Sequence, residues 1–214
     1  MIKVGDTLPS ATLMEFSEVE GNGCSIGPNP VEVAKATAGK TIALFALPGA
    51  FTPTCSAKHV PGYVEQFDAL KSAGIDEIWC VSVNDAFVMF QWAQSKAITQ
   101  VRMLPDGNAE FTRKMGMLVD RSAQGMGMRS WRYAMIVDDN TITHWFEEPG
   151  INDTGADSDP YGETAPEKLL AALAEAVAEL DAAGIALDAE WGSVQHWPAG
   201  GERIPVHGGP GTAG

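Results

Sequence analysis

The sequence predicts an α/β fold, and three observations carry that prediction. Two continuous apolar runs of strand length, "KTIALFALP" (40–48) and "EIWCVSV" (77–83), have the character of strands buried on both faces. Between them, "AKHVPGYVEQFDALKSAG" (57–74) spaces Val60, Tyr63, Val64, Phe67 and Leu70 as on one face of a helix. Strand, helix, strand implies a parallel pairing through a right-handed crossover. Further on, "WRYAMIVDDNTITHWF" (131–146) reads as two strands joined at Asp139-Asn140, a hairpin signal.

Each element has its own local cause. In the crossover helix, Pro61 stands near the start, where a missing N–H costs little, and Gly74 supplies the stop. "DAFVMFQWAQ" (85–94) reads as a helix capped by Asn84 or Asp85. "VRMLPD" (101–106) is a short strand and turn, and "NAEFTRKMGM" (108–117) a short helix. "APEKLLAALAEAVAELDAAG" (165–184) is a long helix with Thr164 as N-cap, Pro166 near N1, alanine-rich propensity and a terminal glycine. The expected sheet is mixed, with roughly five to seven strands. A βαβ half followed by a hairpin and a closing helix is the layout of a thioredoxin-like fold. Residues 1–184 are expected to form this domain. Beyond it, "GSVQHWPAGGERIPVHGGPGTAG" (192–214) is rich in Gly and Pro without periodicity, so residues 185–214 read as a tail.

Composition narrows the function classes. Hydrophobic residues are 45% of the 214, too many for a disordered chain. The net charge of −14 argues against nucleic acid or an anionic membrane surface as partner, since phosphate binding needs clustered Lys and Arg. No apolar run approaches the roughly 20 residues of a membrane span. The N-terminal "MIKVGDTLPSATLMEF" has no basic segment followed by an apolar block, so no signal peptide is read and a reducing cytoplasm is the expected location. The cysteines are Cys24, Cys55 and Cys80: an odd count, widely spaced, without a CxxC. Neither a disulfide framework nor a zinc site is expected. The aspartates of "NDTGADSD", Asp153, Asp157 and Asp159, lack the glycine and closing glutamate of a calcium loop and read as solvated.

Cys55 has the setting of a reactive thiol. It lies in "PGAFTPTCSAKHVPGY" (48–63), where the strand ending near Leu47 delivers the chain to the C-terminal edge of the sheet and the next helix starts. On the first turn of that helix, free N–H groups and the dipole stabilise a thiolate and lower its pKa, to somewhere in the range of about 3.5–7.5. Pro48 and Pro53 stiffen the loop, and Thr52 can bring its hydroxyl beside the sulfur. From spacing alone, a buried and inert helix-start cysteine is the alternative. His59, one turn on, would tune the thiolate, donate a proton, or make a structural hydrogen bond.

The same segment resembles the active-site motif of the peroxiredoxins: Pro, three residues, Thr, two residues, Cys. "VSVNDAFVM", "VRMLPDGNAEFT" and "RYAMIVDD" are similar to the subfamily that includes human peroxiredoxin-5 and bacterial relatives that often use glutathione and glutaredoxin. The resemblance runs from about Lys3 to about Leu173. It implies Cys55 as the peroxidatic cysteine, Thr52 as a hydrogen-bond partner of the peroxide and Pro48 as a shield for the thiolate. It also implies Arg132 of "RYAMIV" as the active-site arginine, with Arg129 the lesser candidate. Without the resemblance, Arg132 reads as a strand-edge arginine in a surface ion pair. The human relative has a late cysteine, whereas "EEPGINDTGADSDPYG" (147–162) has none. Cys80 lies in an apolar strand and reads as core, which leaves Cys24, in a Gly-rich loop, as the sole candidate to resolve a sulfenic acid. The implied reaction is therefore reduction of hydrogen peroxide and organic hydroperoxides by one cysteine. It needs no bound cofactor and no metal, with glutathione and glutaredoxin, or else thioredoxin, as reductant, and a homodimer as the assembly. A redox sensor that signals through oxidised Cys55 is the competing class. The tail "LDAEWGSVQHWPAGGERIPVHGGPGTAG" resembles a short stretch of the penicillin-acylase family without its N-terminal nucleophile, so acylase activity is not implied.

Overall fold

The computed structural model describes residues 2–19 and 25–182. A β-hairpin, β1 (Thr12–Val19) and β2 (Ser25–Glu32), opens the chain and leads into a short helix α1 (Val33–Thr37). Strand β3 (Thr41–Ala46) follows, then a π-turn (Cys55–His59) running into α2 (Val60–Glu65) and α3 (Phe67–Ser72). Next come β4 (Glu77–Ser82), α4 (Ala86–Ser95), β5 (Arg102–Pro105) and α5 (Glu110–Lys114). Strands β6 (Leu118–Asp120) and β7 (Met128–Ser130) form a second small hairpin. The hairpin β8 (Tyr133–Asp138) and β9 (Thr141–Glu147) and the closing helix α6 (Pro166–Ala182) complete the described chain.

The central sheet has five strands in the order β5-β4-β3-β8-β9, within the expected number. Pairings β3–β4 and β4–β5 are parallel, while β3–β8 and β8–β9 are antiparallel, so the sheet is mixed as expected of a thioredoxin-like fold. Every residue of β3 is buried, which explains its unbroken apolar run. Alternate side chains feed two cores. Ile42, Leu44, Trp79 and Met135 pack with Leu13 and Phe111 on one face. Ala43, Phe45, Cys80 and Ile136 pack with Cys55, Tyr63, Leu70, Trp92 and Leu169 on the other.

Several local causes match the sequence. Asp85 caps α4 by accepting from the Val88 N–H at 2.9 Å. Asp139 and Asn140 both have positive φ, +42° and +69°, as a two-residue hairpin turn requires. Other details differ. The first crossover helix is not uniform: it begins as a π-turn and bends at Gln66, with hydrogen bonds Gln66 N–H to Gly62 O and Leu70 N–H to Gln66 O carried across the bend. Thr164 does not reach along α6 with its hydroxyl, which instead donates to Glu148 Oε1 at 2.8 Å. The hairpin β1–β2 was not expected, because Pro28 and Pro30 interrupt its second strand. Residues 185–214, expected to form a separate tail, and Cys24, the candidate resolver, lie outside the described residues.

Candidate active site

The segment after β3 is held by the end of β4. Asn84 Oδ1 accepts from the Ala50 N–H at 2.9 Å and from Ser82 Oγ at 2.7 Å. Gly49 is closely packed there: a Cβ would lie 3.1 Å from Arg129 Nη1 and 3.4 Å from Thr52 Cγ2, so a side chain would have to displace Arg129. Phe51 has φ +61° and an exposed side chain, a left-handed conformation that costs a bulky residue about 1–3 kcal/mol and collects at functional sites. Pro48 is buried and Thr52 half-buried. The Thr52 hydroxyl donates to Gly49 O at 2.7 Å, so what it retains is acceptor capacity.

Cys55 opens the π-turn and is fully buried. The wide turn has a cause in Pro61. Without an N–H it cannot satisfy the Ala57 carbonyl, and in an α-helix its ring would strike that carbonyl. An extra residue in the turn, closed by the Val60 N–H to Cys55 O, relieves both problems.

Arg132, just ahead of β8, reaches into this turn and is itself buried. Its Nη1 lies 3.5 Å from Cys55 Sγ and 2.9 Å from His59 Nδ1, and its Nη2 donates to Asp159 Oδ1 at 2.5 Å. Because a guanidinium only donates, His59 Nδ1 must be the acceptor, which puts any ring proton on Nε2. His59 is fully buried between the rings of Phe45, Tyr63 and Tyr161, at centroid distances of 4.8, 5.7 and 5.0 Å. Burial, and then the Arg132 cation, hold its pKa well below the ordinary imidazole value, so the ring is neutral. For Arg132, burial opposes the charge, but Cys55 and Asp159 outweigh it and raise its pKa above the usual arginine value. Arg132 Nε is buried and makes no hydrogen bond among the described residues.

The other candidates separate clearly. Arg129 donates to the backbone oxygens of Met126 (2.8 Å) and Val83 (3.1 Å), behind Gly49. Cys80 is buried within β4, in the same core as Cys55, and burial first, then Cys55, push its thiol pKa well above the ordinary value. The reading of Arg132 as a surface residue is corrected: its side chain is 2% exposed.

The aspartate loop requires a second correction. Asp153 accepts from the Asp120 N–H at 2.9 Å, Asp157 is paired with buried Arg121, and Asp159 with Arg132. Far from being simply solvated, residues 149–164 strap the site. Glu148, at the base of the strap, accepts from the N–H groups of Gly162 (2.7 Å) and Thr164 (2.9 Å). Burial opposes its charge, yet these donors hold its pKa below the ordinary glutamate value. Tyr161 places its ring 5.9 Å from the Arg132 guanidinium carbon, over the ring face. Gly62 makes room for it: a Cβ there would meet the Tyr161 hydroxyl at 3.1 Å. Asp159 and Tyr161 are the site neighbours that sequence reasoning missed. Their partners are 27 residues away for Asp159, and no local pattern announces them.

A buried thiol with a cation on its sulfur, three residues after a threonine whose hydroxyl keeps acceptor capacity, suits a nucleophilic sulfur and an electrophilic, hydrogen-bonding small molecule. Comparison with known proteins agrees with that chemistry. The Redoxin family model matches residues 3–161. The chain is 50% identical over 152 residues to "Peroxiredoxin sll1621" of Synechocystis, covering 69% of this chain and 80% of that protein. Its structure is similar to that of reduced Prx3 in complex with H2O2 from Vibrio vulnificus, with TM-score 0.72 and 40% identity, covering 83% of this chain and 99% of that one. It is also similar to the Plasmodium falciparum antioxidant protein, titled a 1-Cys peroxiredoxin, with TM-score 0.74 and 32% identity, covering 81% and 99%.

Proposed function

The chain belongs to the Redoxin family and is a peroxiredoxin, a thiol peroxidase, and on that premise we propose that Cys55 is its peroxidatic nucleophile and that an external thiol returns it to the reduced state. The observation that carries the assignment is the contact of Arg132 Nη1 with Cys55 Sγ at 3.5 Å on the first turn of a helix. A guanidinium there favours the thiolate over the thiol and faces the charge that develops during attack.

In the proposed reaction the thiolate attacks one peroxide oxygen in line with the O–O bond. The S–O bond forms as the O–O bond breaks, and the electron pair leaves on the distal oxygen as hydroxide or alkoxide, which takes up a proton. Cys55 becomes a sulfenic acid. Thr52, its own proton committed to Gly49 O, accepts a hydrogen bond from the peroxide O–H. Pro48 keeps water from the sulfur. His59 accepts from Arg132 and fixes its Nη1; being neutral and deeply buried, it orients rather than supplies the proton.

For the return half, one thiol condenses with the sulfenic acid to give a mixed disulfide and water. A second thiol displaces Cys55 and leaves as the disulfide of the reductant. Glutathione with glutaredoxin is the proposed pair. Support comes from Cys80, whose buried position in β4 and raised thiol pKa disfavour it as a resolver, and from the likeness to a protein titled 1-Cys. A homodimer in a reducing cytoplasm completes the reading, the exposed Phe51 and Phe87 being apolar surface that a second copy would cover. Steady-state peroxide consumption with glutathione plus glutaredoxin, set against thioredoxin plus its reductase, tests the reductant. Faster turnover with the glutathione pair is expected. Turnover with thioredoxin alone would contradict it, and a single oxidation that stalls with both would make the protein a sensor. Sedimentation velocity tests the dimer, which a monomer at micromolar concentration would contradict.

A further inference from the structure

Arg132 reaches Cys55 with only one of its terminal nitrogens, and the other is held from the far side of the site. Nη2 donates to Asp159 Oδ1 at 2.5 Å. Asp159 comes from the strap 149–164, at a residue with φ +52°, a left-handed conformation that a non-glycine adopts only when its surroundings hold it there. Two contacts do so. The Asp159 N–H donates to Asp157 Oδ1 at 2.9 Å, and Asp157 is locked to Arg121 in an ion pair that is almost wholly buried. Arg121 in turn lies 5.2 Å from the Trp131 ring, beside Arg132 in sequence. Two buried arginines are thus held by two aspartates of one short segment.

We infer that Asp159 is a positioning residue for the peroxidase reaction: its carboxylate fixes the Arg132 guanidinium so that Nη1 points at Cys55. The inference rests on the reading of Cys55 and Arg132 given above. A guanidinium is planar, so anchoring Nη2 fixes the direction of Nη1. Left without that anchor, Arg132 keeps His59 Nδ1 and the Tyr161 ring, neither of which holds Nη2. The aspartate side chain is 41% exposed, while Arg132 is 2% exposed, so the anchor is the solvent-facing end of a buried charge. The other titratable groups around the sulfur are His59 from the π-turn, Cys80 from β4, and Tyr63 and Tyr161 across the His59 ring. None of them replaces a carboxylate at Nη2.

The test uses the full chain and measures the second-order rate with hydrogen peroxide from pH 4.5 to 8. Asp159→Asn keeps an acceptor oxygen for Nη2 and removes the charge. It is expected to retain the plateau rate within about threefold, because its amide oxygen still anchors Nη2. Asp159→Ala removes the anchor and is expected to lose roughly 10-fold to 10²-fold at the plateau, as for a misplaced catalytic group. A wild-type rate in Asp159→Ala overturns the inference, as does an equal loss in Asp159→Asn. Should the alanine variant fail to fold, Asp159→Ser, whose hydroxyl is too short to reach Nη2, is measured in its place, with the same loss expected and a wild-type rate overturning the inference. Arg132→Met is measured alongside. A wild-type rate there sinks the active-site reading itself. Loss there combined with wild-type behaviour of both Asp159 variants sinks only the role of Asp159.

Discussion

Cys55 and Cys80 belong to the same cluster of buried side chains, and neither thiol is exposed. What differs is the element that carries each and the group that meets it. Cys80 is the middle of a strand, its backbone N–H and C=O committed to the ladder beside Phe45 and Met103, with burial raising its thiol pKa well above the ordinary value. Cys55 begins a helical turn after a loop that two prolines and a left-handed Phe51 hold in shape, and a guanidinium nitrogen lies 3.5 Å from its sulfur. Burial therefore does not tell the two thiols apart. A cation on the sulfur and a helix start beneath it do, and they favour Cys55 as the proposed nucleophile.

The comparison can be broken most severely at the sulfur. Cys55→Ser is expected to abolish peroxide consumption, and full activity in that variant would remove Cys55 from the mechanism. Next in size is the cation. Arg132→Met is expected to slow peroxide attack by roughly 10²–10³, the usual loss for one electrostatic donor, as measured by stopped flow. A wild-type rate would redirect attention to Arg129, which the fold holds on the backbone of Met126 and Val83.

A smaller effect sharpens the contrast through His59. Its folded pKa lies below the unfolded value of about 6.5, so below that pH the unfolded chain binds a proton that the folded protein refuses. Stability should accordingly fall as pH drops below about 6.5, by up to about 1.4 kcal/mol per pH unit from this residue, and the term should vanish above it. Half-buried His144, with its pKa also lowered by burial, adds in the same direction. His59→Asn can still accept from Arg132 through Oδ1. It should flatten the acid slope in urea melts by about one proton and keep most of the activity. Equal slopes would contradict the buried neutral ring. The smallest effect belongs to Cys80→Ser, which should leave the peroxide rate within about twofold and lose a little stability from the buried hydroxyl.

The sequence was most legible where cause is local. The apolar runs of β3 and β4, the Asp139-Asn140 turn and the Pro48–Thr52–Cys55 spacing all act within a few residues. Legibility failed where partners are distant or where an unfavourable residue sits in a tolerant place. Pro28 and Pro30 argue against a strand, yet among the described residues β2 pairs with β1 alone. Being two residues apart, both prolines direct the position of the missing N–H to the same, open edge. Asp157 and Asp159 look like part of a solvated acidic loop because Arg121 and Arg132 lie 36 and 27 residues away. His59 was visible from its spacing to Cys55, but whether it would act as acid, tuner or hydrogen-bond acceptor depended on Arg132, which arrives from the link just ahead of β8.

The most direct test of the central claim is to identify the cysteine that peroxide oxidises. The full chain would be treated with one equivalent of hydrogen peroxide in the presence of dimedone, which traps sulfenic acids, and the adduct located by peptide mass spectrometry. The account predicts an adduct on Cys55 in the wild type, and its loss in Arg132→Met at the same reaction time. An adduct on Cys24 or Cys80 instead, or peroxide consumed with no adduct on Cys55, would contradict it.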